Sequence, residues 1–192
     1  MSAALLVMDF QLAVLGRYPP TQVDELLTRT QHALSGARAA GVPIIFVRLA
    51  CSADDPQIST RNRLFSPLAG LPEFAEGDSG TSIHPLVGPQ PGDFVVVKKR
   101  ASAFSSSELM PLIESLDITH LVLSGLATGG VVLSTVRDAA DRDLDLTVLS
   151  DACADRDDEV HRVLCQKVFP MQAAVTTVAD WVAALRPSPA EG

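Results

Sequence analysis

The constraint that acts first on this chain is the alternation of short, wholly apolar runs with longer amphipathic ones. AALLVMD at 3–9, PIIFVRL at 43–49, FVVVKK at 94–99, HLVLSG at 120–125, LTVLSD at 146–151 and AAVTT at 173–177 all have strand length. A strand that is apolar at successive positions must be covered on both faces, which antiparallel sheets rarely require and parallel α/β sheets always do. The stretches between them carry helical spacing at about 21–40, 106–115, 129–142, 157–169 and in a last helix ending near 185. The pattern predicts a three-layer α/β/α, doubly wound domain with roughly six mostly parallel strands over 1–186, followed by a frayed tail at 187–192. Thr21, with Asp24 three residues on, is the expected cap of the first long helix, and Gly41 its stop. The segment 51–93, rich in Pro, Gly and Ser, holds no period and reads as a long irregular excursion above the sheet.

Composition removes several classes of function. The net charge is −8, and the 15 basic residues are scattered rather than striped, which excludes a nucleic-acid surface as the expected partner. The longest apolar runs fall far short of the roughly 20 residues a membrane span requires, and no basic segment precedes the first. Three cysteines, Cys51, Cys153 and Cys165, stand far apart without CxxC or Cys/His spacing, so neither a disulfide framework nor a structural zinc site is expected. The expected compartment is the cytoplasm. No Gly-rich phosphate loop follows a strand, so no nucleotide cofactor is expected.

Ligands of open parallel sheets bind beyond the carboxyl ends of the strands. That rule singles out Asp9 and Gln11 after the first strand, Arg48 and Cys51 after the second, Lys98, Lys99 and Arg100 after the third, 127–131 after the fourth, and 151–153 after the fifth. Asp9 follows five apolar residues and Lys98 closes FVVV, so each is expected at the edge of a buried strand, and together they form a candidate acid–base pair. GLATGGVVLSTVRDA at 125–139 reads as a strand running through a Gly turn into a helix, a place where α/β enzymes put a nucleophile. Val131 stands at its centre.

In order and spacing, ALLVMDFQ, VVVKKRASAF and LVLSGLATGGVVLSTVRDAADRDLDLTVLSDACADRD resemble the isochorismatase-like cysteine hydrolase family, which includes nicotinamidases, N-carbamoylsarcosine amidase and isochorismatases. The resemblance implies a catalytic role for Asp9 and Lys98. It also implies a non-proline cis peptide at Leu126–Ala127 and an oxyanion hole from the backbone amides of Ala127 and Val131. In the family's G-x-x-T-x-x-C-V motif, Gly125, Thr128 and Val132 keep their places while Val131 occupies the position of the nucleophilic Cys. A Val side chain cannot attack a carbonyl, so the resemblance implies either hydrolysis without an acyl-enzyme, such as vinyl ether cleavage by Asp/Lys acid–base chemistry, or a catalytically silent relative that binds a small molecule or serves assembly.

Cys51, Cys153 and Ser134 are the alternative attacking groups, with Cys165 read as core. Gln11, Arg48, Arg61, Arg63, Arg100, Phe65, Phe74, Phe104, Thr128, Gly129 and Gly130 are the candidate substrate contacts. Nicotinamidases hold a metal on an Asp and two His after the second strand. Here that loop offers Asp54 and Asp55 but only the distant His84, so no metal site is expected, and His32, His120 and His161 are read as surface groups. A homo-oligomer, dimer or larger, is the expected assembly, and a small molecule the expected ligand.

Overall fold

All six apolar runs form strands: β1 (Ala3–Met8), β2 (Ile44–Leu49), β3 (Phe94–Lys98), β4 (His120–Leu126), β5 (Asp145–Ala154) and β6 (Ala174–Thr176). The structure, a computed structural model, describes residues 2–52, 58–68 and 70–185. The expected tail and the Asp54–Asp55 pair lie outside these. The strands make one parallel sheet in the order β3-β2-β1-β4-β5-β6. Order reverses between β1 and β4, so the crevice of a doubly wound sheet opens beyond Met8 and Leu126.

The helices are α1 (Leu12–Leu15), α2 (Pro20–Ala39), α3 (Leu109–Ser115), α4 (Leu133–Ala140), α5 (Asp158–Val163) and α6 (Val178–Ala184). Alternate residues of β1 feed opposite cores. Leu5 and Val7 pack with Leu26 and Leu27 of α2 and Trp181 of α6, while Ala4, Leu6 and Met8 pack with Leu109 of α3, Val136 of α4 and Leu164. Full burial of each Leu or Val contributes about 1.5–3 kcal/mol, which explains why these runs lack the polar alternation of a half-exposed strand. A third, smaller cluster forms where Phe65 and Phe74 of the long excursion close over Leu49.

Several helix boundaries differ from the sequence reading, each for a local reason. Helix α2 starts at Pro20 after Pro19, without a side-chain cap, because a proline with preset φ replaces the capping function expected of Thr21. Its stop is the expected one: Gly41 adopts φ 69, and Val42 N donates to Ala37 O at 2.9 Å. Helix α3 begins at Leu109 rather than 106, since Ser106 has φ 52 and the Ser107 hydroxyl accepts from Leu109 N at 3.3 Å. The fourth helix opens as a π turn over Thr128–Val132. The expected helix 157–169 is split into α5, a π turn Leu164–Val168 and a 3₁₀ turn Phe169–Met171 containing Pro170. The excursion is not structureless, holding 3₁₀ turns at Pro72–Phe74, Ser79–Thr81 and Pro85–Val87. No described helix is long and apolar enough to cross a membrane.

Candidate active site

The residue that ends β1 is forced out of the extended conformation: Asp9 has φ 60, a left-handed value that costs a non-glycine residue energy and recurs at functional sites. Its backbone N–H is held by Val47 O at 2.8 Å. Its Oδ2 meets Lys98 Nζ at 2.9 Å, and Lys98, only 1% exposed, also donates to Arg100 O at 3.1 Å. The other oxygen, Oδ1, is buried without a hydrogen-bond partner. Such an orphan is rare in a folded protein and costly unless a ligand, water or proton completes it. Burial pushes the Asp9 carboxyl above its ordinary value, while the Lys98 charge and hydrogen bond pull it down; the direction is upward.

Above the pair lies a cavity of about 160 Å³. Asp9, Lys98, Leu126, Ala127, Gly130 and Val131 are part of its lining, and the Leu126–Ala127 peptide bond is cis. Val131 is buried against the α3/α4 core. Phe65 and Phe74 line the cavity from the excursion, as the sequence suggested. Tyr18, Arg17 and Arg156 line it too, and nothing in the sequence reading selected them.

Several expected contacts are placed elsewhere. Gln11 is fully buried and pins the excursion to β2: Nε2 donates to Leu49 O at 2.8 Å and Thr81 O at 3.0 Å, and Oε1 accepts from Leu49 N at 2.7 Å. Arg48 pairs with Glu76 at 2.7 Å, and Arg100 donates to Lys99 O at 2.7 Å, so both guanidinium groups are spent outside the cavity. Phe104 is core, with Arg142 stacked on its ring at 4.9 Å. Arg61 and Arg63 are exposed and do not line the cavity.

The thiols and histidines also divide. Neither Cys51 nor Cys153 lines the cavity. Cys153 is buried with its thiol held far above the ordinary value by desolvation, and burial pushes Cys165 up to about 11, which leaves both as poor nucleophiles. His32 is exposed, and His84 accepts from Leu86 N at 3.3 Å in its own turn. His120 and His161 are not surface groups. His120 is half-buried against Thr147 Oγ1 at 2.9 Å, and His161 against Thr128 Oγ1 at 2.8 Å. Among the described residues no group of His, Cys, Asp and Glu is placed to hold a metal ion.

The last two contacts explain what holds the turn after β4. A register shift between β4 and β5 lets β5 run on to Ala154 and delivers Asp155 to the turn, where its Oδ2 accepts from Gly129 N at 2.7 Å. A Cβ at Gly129 would stand 3.2 Å from that oxygen and 3.1 Å from Val160 Cγ1, so a larger residue there would have to push Asp155 or Val160 aside by a few tenths of an ångström. His161 braces Thr128 from α5 with Cys165 Sγ 3.8 Å from its ring, and burial pulls the imidazole below its ordinary value against the opposing charges of Asp155 and Asp158. Removing the Thr128 hydroxyl strands the imidazole nitrogen. Thr128→Val is therefore expected to cost about 1–2 kcal/mol in denaturant unfolding, and Thr128→Ser to restore most of it.

A buried acid–ammonium pair lines a cavity at the switch point of a doubly wound sheet, the place where such sheets bind small molecules. The chain belongs to the isochorismatase family of hydrolases: residues 3–180 match its isochorismatase domain. It is similar to YecD, an uncharacterized isochorismatase family protein of Escherichia coli O157:H7, with 29% identity over 96% of each chain. It is also similar to the ureidoacrylate amidohydrolase RutB of Pantoea ananatis, with 31% identity over 78% of this chain and 68% of that one. Among solved structures, an isochorismatase family protein from Burkholderia thailandensis superposes with TM-score 0.81 at 28% identity, over 96% of this chain and 95% of that one. A cysteine hydrolase from Pseudomonas syringae pv. phaseolicola shares the fold with TM-score 0.86 at 23% identity, over 96% and 92% of the two chains.

Proposed function

We propose that this chain hydrolyses a small molecule by acid–base chemistry at Asp9 and Lys98, without a covalent acyl-enzyme, and that Val131 stands where cysteine hydrolases carry their nucleophile. The observation that carries the reading is the buried Asp9–Lys98 pair at 2.9 Å with its second carboxylate oxygen left unpartnered. A carboxyl whose pKa burial raises is an acid suited to a vinyl ether. It gives its proton to the enol carbon, water adds to the resulting oxocarbenium carbon and returns a proton to the carboxylate, and the hemiketal collapses to a ketone and an alcohol. Lys98 keeps the carboxylate stage of that cycle compensated. The isopropyl group of Val131 excludes water from one wall but offers no bond to the substrate.

The same reading includes a homo-oligomer in which a second copy covers the cavity mouth, where the lining residue Leu64 stands 57% exposed. Membership of Val131 in the hydrophobic core favours one competitor, a binding protein that keeps the pair and no longer turns anything over. Assay of the purified protein against isochorismate and a panel of small amides separates the two. Turnover of the vinyl ether without turnover of the amides is expected, and Val131→Cys is expected to add amide hydrolysis in the same cavity. Binding without consumption of any compound, in both proteins, would retire the enzymatic reading.

A further inference from the structure

The polar groups that line the cavity are unequally free. Asp9 and Lys98 hold each other at 2.9 Å, and Arg17 is tied to Glu73 at 3.3 Å with its guanidinium over Phe74. Arg156 is exposed at the rim. Tyr18 differs from all of these. It is 8% exposed, its ring packs in the cluster of Leu15 and Leu26, and its backbone N–H is fixed to Leu15 O at 3.0 Å. Its hydroxyl has no hydrogen-bond partner among the described residues and is not sealed from the cavity that the residue lines. A buried Tyr normally finds a partner for its O–H.

We infer that Tyr18 is a specificity-determining hydrogen-bond donor that selects ligands carrying an acceptor oxygen besides the group that meets Asp9. The cavity thus reads a ligand at two points. The unpartnered Asp9 Oδ1 takes a donor or proton-accepting centre, the Tyr18 hydroxyl takes a carbonyl or carboxylate oxygen, and Phe65 and Phe74, which line the same cavity, cover the ligand's apolar part. The phenol donates rather than accepts charge. Burial raises it well above the ordinary tyrosine value, Asp155 and Asp9 add to the rise, and Arg156 opposes without reversing it, so the proton stays on throughout the physiological range. This assignment rests on the reading of the cavity as the ligand site but not on any chemical step in it.

A matched pair of ligands tests it by binding alone. 3-Ureidopropionate offers ureido N–H groups to Asp9 and a carboxylate oxygen to Tyr18, whereas n-butylurea, of similar length, lacks the acceptor. Titration calorimetry of the full chain and of Tyr18→Phe with both is expected to show about 10- to 150-fold weaker binding of 3-ureidopropionate by the variant, the range a single hydrogen bond to a charged acceptor spans. Binding of n-butylurea is expected to be equal in the two proteins, and an unchanged unfolding temperature confirms that the ring still packs. Equal affinities for 3-ureidopropionate, equal weakening of both ligands, or no binding of either up to about 20 mM would overturn the assignment. Binding that discriminates in the absence of any turnover would leave Tyr18 in place and count only against the acid–base reaction.

Discussion

Asp9→Asn is expected to lower kcat by about 10²–10⁴-fold, the contribution of a positioned general acid, while the protein still folds and still binds ligand. The asparagine keeps the shape of the side chain and an oxygen for Lys98, so the loss isolates the proton. If the proposed reaction holds, its reactive form is the protonated acid, so the rate should fall as pH rises through the raised pKa of Asp9. Stability follows the same sign. A carboxyl whose folded pKa lies above its unfolded value of 3.8 contributes stability in full below that value and loses it as pH climbs through the folded one. Thermal unfolding of wild type and Asp9→Asn at stepped pH should converge or cross in that window. A variant that retains turnover, or a wild-type rate that rises with pH there, would exclude Asp9 as the acid.

The largest structural effect should come from Lys98→Met. Both influences that lower the Asp9 pKa come from Lys98, through its charge and its hydrogen bond, and desolvation is the one that remains when it is removed. The carboxyl must then rise further, and the alkaline limit of any residual activity should move to higher pH. Above that limit the variant buries an uncompensated carboxylate, which costs about 3–5 kcal/mol when one partner of a buried pair is lost. Below it Asp9 is neutral and the deficit shrinks. Denaturant unfolding at stepped pH reads the difference directly, and a deficit that stays constant from acid to alkaline pH would overturn this account of the pair.

The parts of this fold that were legible in the sequence are those where one physical demand dominates. Apolar runs such as 3–8 and 120–126 leave no solvent face, so the covered parallel sheet follows from them, and a carboxylate or ammonium ending such a run must find a partner, which is how Asp9 and Lys98 point to each other. Where two demands compete, the reading went elsewhere. Gln11 looks like a strand-end ligand contact, but three backbone groups of the β2 end and the excursion outbid any ligand for its amide. Arg48 and Arg100 stand out by charge, and charge alone does not say that Glu76 or a neighbouring carbonyl takes them. Asp155 and His161 stand 26 and 33 residues from the turn they brace, in a stretch whose polar spacing resembles a solvated helix face; only the β4–β5 register shift brings them back. Tyr18 carried no signal at all, since its position depends on how four-residue α1 folds back over the crevice.

Lys98 sits on β3, an edge strand, while its carboxylate partner leaves β1 two places inward, about 9–10 Å across the sheet. The ammonium therefore bridges the end of β2, and β3 is held by ladder bonds on one flank alone. Peeling of that border would withdraw the cation and open the Asp9 carboxyl to water in a single event. The integrity of the ion pair and that of this margin are thus one and the same equilibrium.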